Sequence, residues 1–272
     1  MATLPHRAWT VPALARRRLA APDPVRVETS IATWLVNDGT ELCGARAEGD
    51  DWVWSTGGAI FCDSGAGPVA FDPAAGDESE ARDLWIRSVL PLLLQARGTQ
   101  VLHASALAGP RGVVAICGRS TAGKSTLAAA AQSPDLRVVA DDSLAFAAGD
   151  DKALALTLPY LVRLRPAAYA RLGALAQSAG PGGEELPLAG IIMIDRDAQA
   201  APAEWSPVSP TEALGALMPH AYCFSLSQSK EQLVEAYAEL VERVPVVGLS
   251  FRRDLNELPA VVEEVRAFCR AN

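Results

Sequence analysis

The sequence predicts an α/β fold: a larger α/β domain over residues 98–272, a smaller β-rich domain over 28–97, and an arm over 1–27. Three observations predict it. Between Val113 and Ala140 an apolar run, a glycine loop, an alanine-rich stretch and a second apolar run follow one another. That order is strand, loop, helix, strand, the signature of a βαβ unit. Upstream, short strand-like runs alternate with turn residues, whereas apolar residues near the C-terminus recur at helical spacing. The length of 272 residues also suits one main domain with a smaller partner, since domains usually hold roughly 100–200 residues.

The elements follow in order. Residues 1–27 are rich in Pro and Arg, including Arg16, Arg17 and Arg18, and read as a loosely held arm. From Ile31 to Val69 short strands are expected, among them Val53-Trp54 and Ile60 to Cys62, with turns at Asp38-Gly39 and Gly57-Gly58. Asp77 to Arg97 reads as a helix, acidic in its first turn, stopped by Gly98 and kinked at Pro91. Val101 to Leu107 and Val113 to Cys117 read as strands around the turn Gly109 to Gly112. Thr121 to Gln132 is helical, and Arg137 to Ala140 is a strand expected to neighbour Val113 to Cys117. Leu144 to Ala147 and Ala153 to Leu158 form an expected hairpin, Ala179 to Gly183 a mobile loop, and Ile191 to Ile194 a central strand. Three helices are announced by carboxylates or amides three residues after a cap: Ser209 with Glu212, Ser229 with Gln232, and Asp254 with Glu257.

Composition excludes several function classes. A net charge of −8 argues against a general nucleic-acid binder. No apolar run reaches the roughly 20 residues of a membrane span, and none suits a signal peptide. The five cysteines are scattered with no close pair to clip a metal. A soluble cytoplasmic protein without nucleic-acid or membrane partners is expected, and a homo-oligomer is an open alternative.

The chemistry concentrates in Gly118-Arg119-Ser120-Thr121-Ala122-Gly123-Lys124-Ser125, which matches the phosphate-loop pattern G-x-x-x-x-G-K-[ST] in full; Thr126 follows in the helix. Gly118 and Gly123 let the backbone curl so that its N–H groups face phosphate oxygens. Lys124 then meets the β- and γ-phosphates, and the Ser125 hydroxyl takes Mg²⁺. A nucleoside triphosphate with Mg²⁺ is therefore the expected ligand, ATP before GTP. Asp141 and Asp142 end the next strand, where ligands of open α/β sheets sit. One can hold Mg²⁺ while the other takes a proton from an attacking hydroxyl; alternatively they are an acidic turn. His103 lies in an otherwise apolar run, where by composition alone a lone histidine is usually a satisfied core residue and only in the minority of cases catalytic.

The run Val101 to Ala106, the loop Gly118 to Thr126 and the segment Val138 to Asp142 together resemble the kinase core of HPr kinase/phosphorylase. They are closer still to HPr-kinase-like proteins of peptide biosynthesis clusters, including lasso-peptide kinases. Val244 to Leu249 and the upstream β-rich domain extend the similarity over about residues 31–270, and the core's fold is similar to that of phosphoenolpyruvate carboxykinases. The resemblance implies ATP-dependent phosphorylation of a serine-type hydroxyl, with a ribosomally made precursor peptide as acceptor. It implies that His103 sits beside the reacting phosphate, that Asp141 is the base and that Asp142 joins Ser125 at the metal, with the two Asp roles open to exchange. A small-molecule kinase (free serine or sugar), an ATP-binding regulator and a non-catalytic module remain rival readings.

The sequence also departs from the bifunctional enzymes. Thr121 stands where their loop commonly has glycine, Arg163 falls where they carry a glutamate near the metal, and Pro166-Ala167-Ala168 replaces a glycine-rich segment. These changes argue against phosphorolysis and against HPr as substrate. Arg165, or Arg163, could neutralise charge in the transition state; the alternative is a solvated strand face.

Overall fold

The computed structural model describes residues 12–19, 43–46, 52–56, 58–65, 67–73, 78–148, 152–162, 164–173, 179–196, 203–223, 229–252 and 254–272. The expected Asp38-Gly39 turn and Arg163 lie outside the described residues, as does Gly57. The protein is a mixed α/β structure.

The first sheet contains β1 (Leu14–Arg16), β2 (Cys43–Arg46), β3 (Trp52–Thr56), β4 (Ala59–Asp63) and β5 (Val69–Asp72), in the order β1-β5-β4-β3-β2. Strand β1, within the stretch expected as an arm, pairs in parallel with β5. Trp54, Phe61 and Phe71 lie opposite one another across β3, β4 and β5, and all three are fully buried. One face of the sheet is therefore an aromatic layer. It packs on a helical segment made of α1 (Glu78–Leu84), a π-helical stretch Trp85–Val89, and α2 (Leu90–Ala96). Pro91 explains the irregular middle: it has no N–H to give, and its ring would clash with the carbonyl four residues back, so the widened π turn accommodates it. Leu90, Leu92, Leu93 and Leu94 of α2 are buried in one cluster with Phe61 and Phe71 of the first sheet and Val101, Ala145 and Leu156 of the second.

The second sheet begins with β6 (Gln100–Leu102), β7 (Ser105–Gly109), β8 (Gly112–Cys117), β9 (Arg137–Ala140), β10 (Leu144–Ala148) and β11 (Ala153–Leu156), with α3 (Lys124–Ala131) between β8 and β9. A two-stranded ribbon pairs β12 (Tyr160–Leu161) with β13 (Ala179–Gly180), on either side of α4 (Pro166–Leu172). The long β14 (Glu185–Arg196), β15 (Glu204–Pro207) and β16 (Val246–Phe251) complete the sheet, with α5 (Pro210–Leu217) and α6 (Lys230–Arg243) between β15 and β16 and α7 (Leu258–Ala271) last. The order is β6-β10-β11-β14-β8-β7-β9, with β16 also on β14 and β15 beyond it. Along the buried β8, side chains alternate in the manner of any strand. Val113, Ala115 and Cys117 face the core beneath α5 and α6, while Val114 and Ile116 face the core beneath α3 and α7.

Four expectations about elements are corrected. Val101 to Leu107 is two strands rather than one, broken at His103-Ala104. Strand β9 does not neighbour β8: β7 lies between them, antiparallel to both, so β8 and β9 still run in the same direction. Ala179 to Gly183 is tied down, because β13 pairs with β12 and the Gly183 N–H donates to the Thr157 carbonyl at 2.7 Å. Asp254 does not cap a helix; its carboxylate accepts from the Asn256 N–H at 2.8 Å in the preceding turn, and α7 starts at Leu258. The hairpin of β10 with β11 and the capping boxes of Ser209 with Glu212 and Ser229 with Gln232 form as expected.

Candidate functional site

The loop 118–123 leaves the buried end of β8 and turns directly into α3. Its glycines are dictated locally. A Cβ at Gly118 would lie 2.7 Å from both the Ile194 carbonyl and its Cγ1, so only glycine lets the loop start this close to β14. Gly123 is the N-cap of α3 at φ 109°, in the left-handed region that glycine enters without steric cost. Thr121 also has positive φ, 70°, where a β-branched residue costs about 1–2 kcal/mol.

Lys124 is buried, and its Nζ donates to the Gly118 carbonyl at 2.9 Å and the Arg119 carbonyl at 3.5 Å, which folds the ammonium over the loop. Burial lowers its pKa, opposed by the carboxylates of Asp142 and Asp141. Ser125 and Thr126 follow in the first turn of α3, both partly exposed, and Arg119, Ser120 and Thr121 are exposed along the loop.

Asp141, Asp142 and His103 meet through a feature of the sheet. Strands β6 and β7 are two parts of one run, as are β9 and β10, and the two runs pair antiparallel throughout. Leu102 opposes Leu144 on one side of the break and Ala106 opposes Ala140 on the other, in the same register, which then shifts by one residue at a bulge between Ala106 and Leu107. Residues 103–105 therefore face residues 141–143 across a gap in the ladder, beside the exit of β8, where Ser105 pairs with Ile116. Side chains fill the gap. The Ser105 hydroxyl donates to Asp141 Oδ1 at 2.6 Å, with both residues buried. The His103 ring bonds through Nδ1 to the Asp142 carbonyl at 2.8 Å. A carbonyl only accepts, so Nδ1 carries the proton and Nε2 is the lone-pair nitrogen of the neutral ring. Asp142 reaches this position in the left-handed conformation, φ 66°, which Asp tolerates better than most residues.

The charges close the constellation. Burial lowers the pKa of His103, Lys124 lowers it further, and Asp142 opposes both. His103 is thus a largely buried ring with its Nδ1 satisfied by the Asp142 carbonyl, and the charge of Lys124 acts on it. A second histidine joins it without any signal in the sequence. The His220 carbonyl accepts the His103 N–H at 2.7 Å, and the pKa of its ring is brought down to about 4 by burial and by Lys124, His103 and Arg119. Tyr222 stands edge-on to His103 with ring centroids 6.2 Å apart, and its hydroxyl accepts from Ser143 Oγ at 3.0 Å.

Arg165 has a different setting. It is the exposed N-cap of α4. For a divalent metal, the described residues offer no cluster of three His, Cys, Asp or Glu side chains. Mg²⁺ takes one or two carboxylates plus phosphate oxygens and water and needs no such cluster. Ser125 and Asp142 present suitable hard oxygens. Among the described residues no helix is long and apolar enough to cross a membrane.

No protein-family model matches the sequence, and no curated protein matches it. Among solved structures the chain is similar to the Hpr(Ser) kinase/phosphatase from Coxiella burnetii, at 13% identity and a TM-score of 0.35, over 62% of this chain and 95% of that one.

Proposed function

We propose that the protein is a phosphotransferase that moves the γ-phosphoryl group of Mg·ATP to a serine- or threonine-type hydroxyl. One observation carries the reading: the matched break in two paired strands puts His103, Asp141 and Asp142 within the electrostatic reach of Lys124, at the mouth of a loop with the full phosphate-binding pattern. In this reading the N–H groups of residues 118–125 bind the β- and γ-phosphates, and Lys124 swings from the carbonyls it now holds to neutralise their charge. Mg²⁺, when bound by Ser125 and Asp142, supplies further charge neutralisation on the phosphate oxygens. Asp141 accepts the proton of the acceptor hydroxyl, while Ser105 fixes the direction of its carboxylate. The hydroxyl oxygen forms the new bond to the γ-phosphorus as the bond to the bridging oxygen of ADP breaks. His103 stands where a neutral imidazole meets the transferring group. Such chemistry demands positioning and charge neutralisation above all.

The acceptor we favour is a serine or threonine of a ribosomally made precursor peptide, on the motif resemblance set out above. The test is to incubate the full chain with Mg·ATP and, separately, a serine-containing precursor peptide, an HPr-type protein and free serine, following the mass gain of one phosphate. Peptide labelling, not reversed by excess phosphate, is the expected result. Efficient labelling of free serine would overturn the peptide assignment. Lys124→Ala should lose nucleotide affinity by roughly ten- to a hundredfold, the value of one charge-assisted contact of about 1.5–3 kcal/mol. Equal affinity in the two proteins would overturn the nucleotide site itself.

A further inference from the structure

Strand β1 runs into three arginines that the mechanism above does not use. The Val69 N–H donates to the Ala13 carbonyl and the Arg17 N–H to the Phe71 carbonyl, both at 2.8 Å. Odd-numbered residues therefore turn their backbone groups to β5, and by alternation Leu14 and Arg16 turn theirs the other way. On that side no strand pairs with β1 among the described residues, because β1 ends the order of its sheet. Arg16, Arg17 and Arg18 are exposed here, and among the described residues no ion pair holds any of them. The backbone beneath them is fixed just past the last arginine, where the Leu19 N–H donates to Asp72 Oδ2 at 2.9 Å. The three arginines line a cleft of about 510 Å³ with Leu19, Ile60 and Asp72, the last two opposite one another on β4 and β5. Three guanidinium groups thus share the cleft with one carboxylate, in a chain whose net charge is −8.

We infer that this edge is a docking site for an extended acidic peptide segment, which adds to the sheet as a strand beside β1 and sets its carboxylates against Arg16, Arg17 and Arg18. The inference goes beyond the phosphotransferase reading and does not depend on it. The outward N–H and C=O groups of an edge strand are satisfied by another backbone lying alongside. Successive residues of a strand rise roughly 3.3 Å, so the three cations are strung along the edge. That arrangement suits carboxylates spaced along a peptide, whereas a single small anion is best held by donors gathered on one point. A nucleic acid offers no row of backbone N–H groups to match the edge, and a chain of net charge −8 repels its continuous negative charge. Charged side chains at a sheet edge also keep identical edges apart. Here the same arginines repel the edge of a second copy and attract an acidic strand, so the charge selects the partner.

The measurement is fluorescence anisotropy of the full chain with short labelled probes at low salt. The probes are a peptide of alternating Glu and Val, its Gln-Val counterpart, the acidic peptide with all its amides N-methylated, and a single-stranded DNA of matched charge. The acidic peptide should bind saturably and more tightly than the other three. An exposed ion pair is worth up to about fivefold in affinity. Replacing all three arginines (Arg16→Gln, Arg17→Gln and Arg18→Gln together) should therefore weaken the acidic peptide by about ten- to a hundredfold. Arg171→Gln, which removes an exposed arginine of α4, should leave it unchanged. Arg18→Gln alone, outside the strand, decides the matter by a loss of up to about fivefold if the triple variant fails to fold. Absence of saturable binding, or equal affinity in wild type and the arginine variants, would overturn the inference. Equal binding of the N-methylated peptide would remove the strand pairing, and tighter binding of the DNA would make this a nucleic-acid surface instead. No nucleoside triphosphate enters the measurement, so its failure leaves the phosphotransferase reading untouched.

Discussion

Ser105 sets what Asp141 can do. Both are buried, and the 2.6 Å bond from the hydroxyl to Oδ1 holds the carboxylate in one orientation. As the proposed base, Asp141 would act only when a hydroxyl attacks. Asp141→Asn should therefore keep Mg·ATP affinity within about threefold and lose turnover by about 10²–10⁴. Single-turnover phosphorylation beside calorimetry separates the two. If Asp142→Asn instead loses turnover while holding nucleotide, and Asp141→Asn weakens Mg²⁺, the two roles are exchanged. The Asp pair and the loop were legible in the sequence because each is contiguous and its chemistry local. Ser105 and His220 were not. Each reaches the site through pairing with a distant stretch, Ser105 across 36 residues and His220 through a carbonyl bonded to His103, and neither has a neighbour in sequence that advertises a partner.

At the scale of elements, local rules were read correctly where the signal is a side chain bonding its own helix. Ser229 accepts from the Gln232 N–H while the Gln232 side chain accepts from the Ser229 N–H, closing the box that starts α6. Removing an N-cap hydroxyl costs about 1 kcal/mol, so Ser229→Ala should lower unfolding free energy by that amount in urea titrations, with an unchanged m-value. A neutral effect would mean that packing of Leu233, Tyr237 and Leu240 alone sets where the helix begins. Asp254 shows the limit of the rule: carboxylate spacing was right, but its side chain closes a turn on Asn256 before the helix can start. The break at His103-Ala104 was hidden for a different reason. An apolar run keeps the same alternation through an interruption of two residues, and only the partner strand, interrupted at the same register, reveals it.

For the molecule as a whole, the α/β class was legible from periodicity, but strand order was not, since nothing local places β7 between β8 and β9. How the two sheets cohere was equally hidden. Helix α2 buries four leucines in a cluster drawn from both sheets, and at its end the Arg97 guanidinium grips Asp63, the last residue of β4, with bonds of 2.5 and 3.1 Å. The Asp63 side chain is 3% exposed and that of Arg97 34%. Removing a partner from a fully buried pair costs about 3–5 kcal/mol, and the partial exposure of Arg97 reduces this to about 2–3 kcal/mol. Arg97→Ala should lose that much stability, whereas Arg97→Met combined with Asp63→Leu should recover most of it, because no buried charge is then left alone. The shared core adds a second consequence. Trp52, Trp54 and Trp85 belong to the first sheet and its helix, whereas Trp205 lies on β15 of the second, so the fluorescence is read in Trp205→Phe, while far-ultraviolet circular dichroism reports on both sheets. The two signals should follow one thermal transition in that background, and adding Arg97→Ala should move both together. Tryptophan fluorescence melting well ahead of circular dichroism would show that the first sheet unfolds alone, and that the leucines of α2 do not couple it to the second sheet.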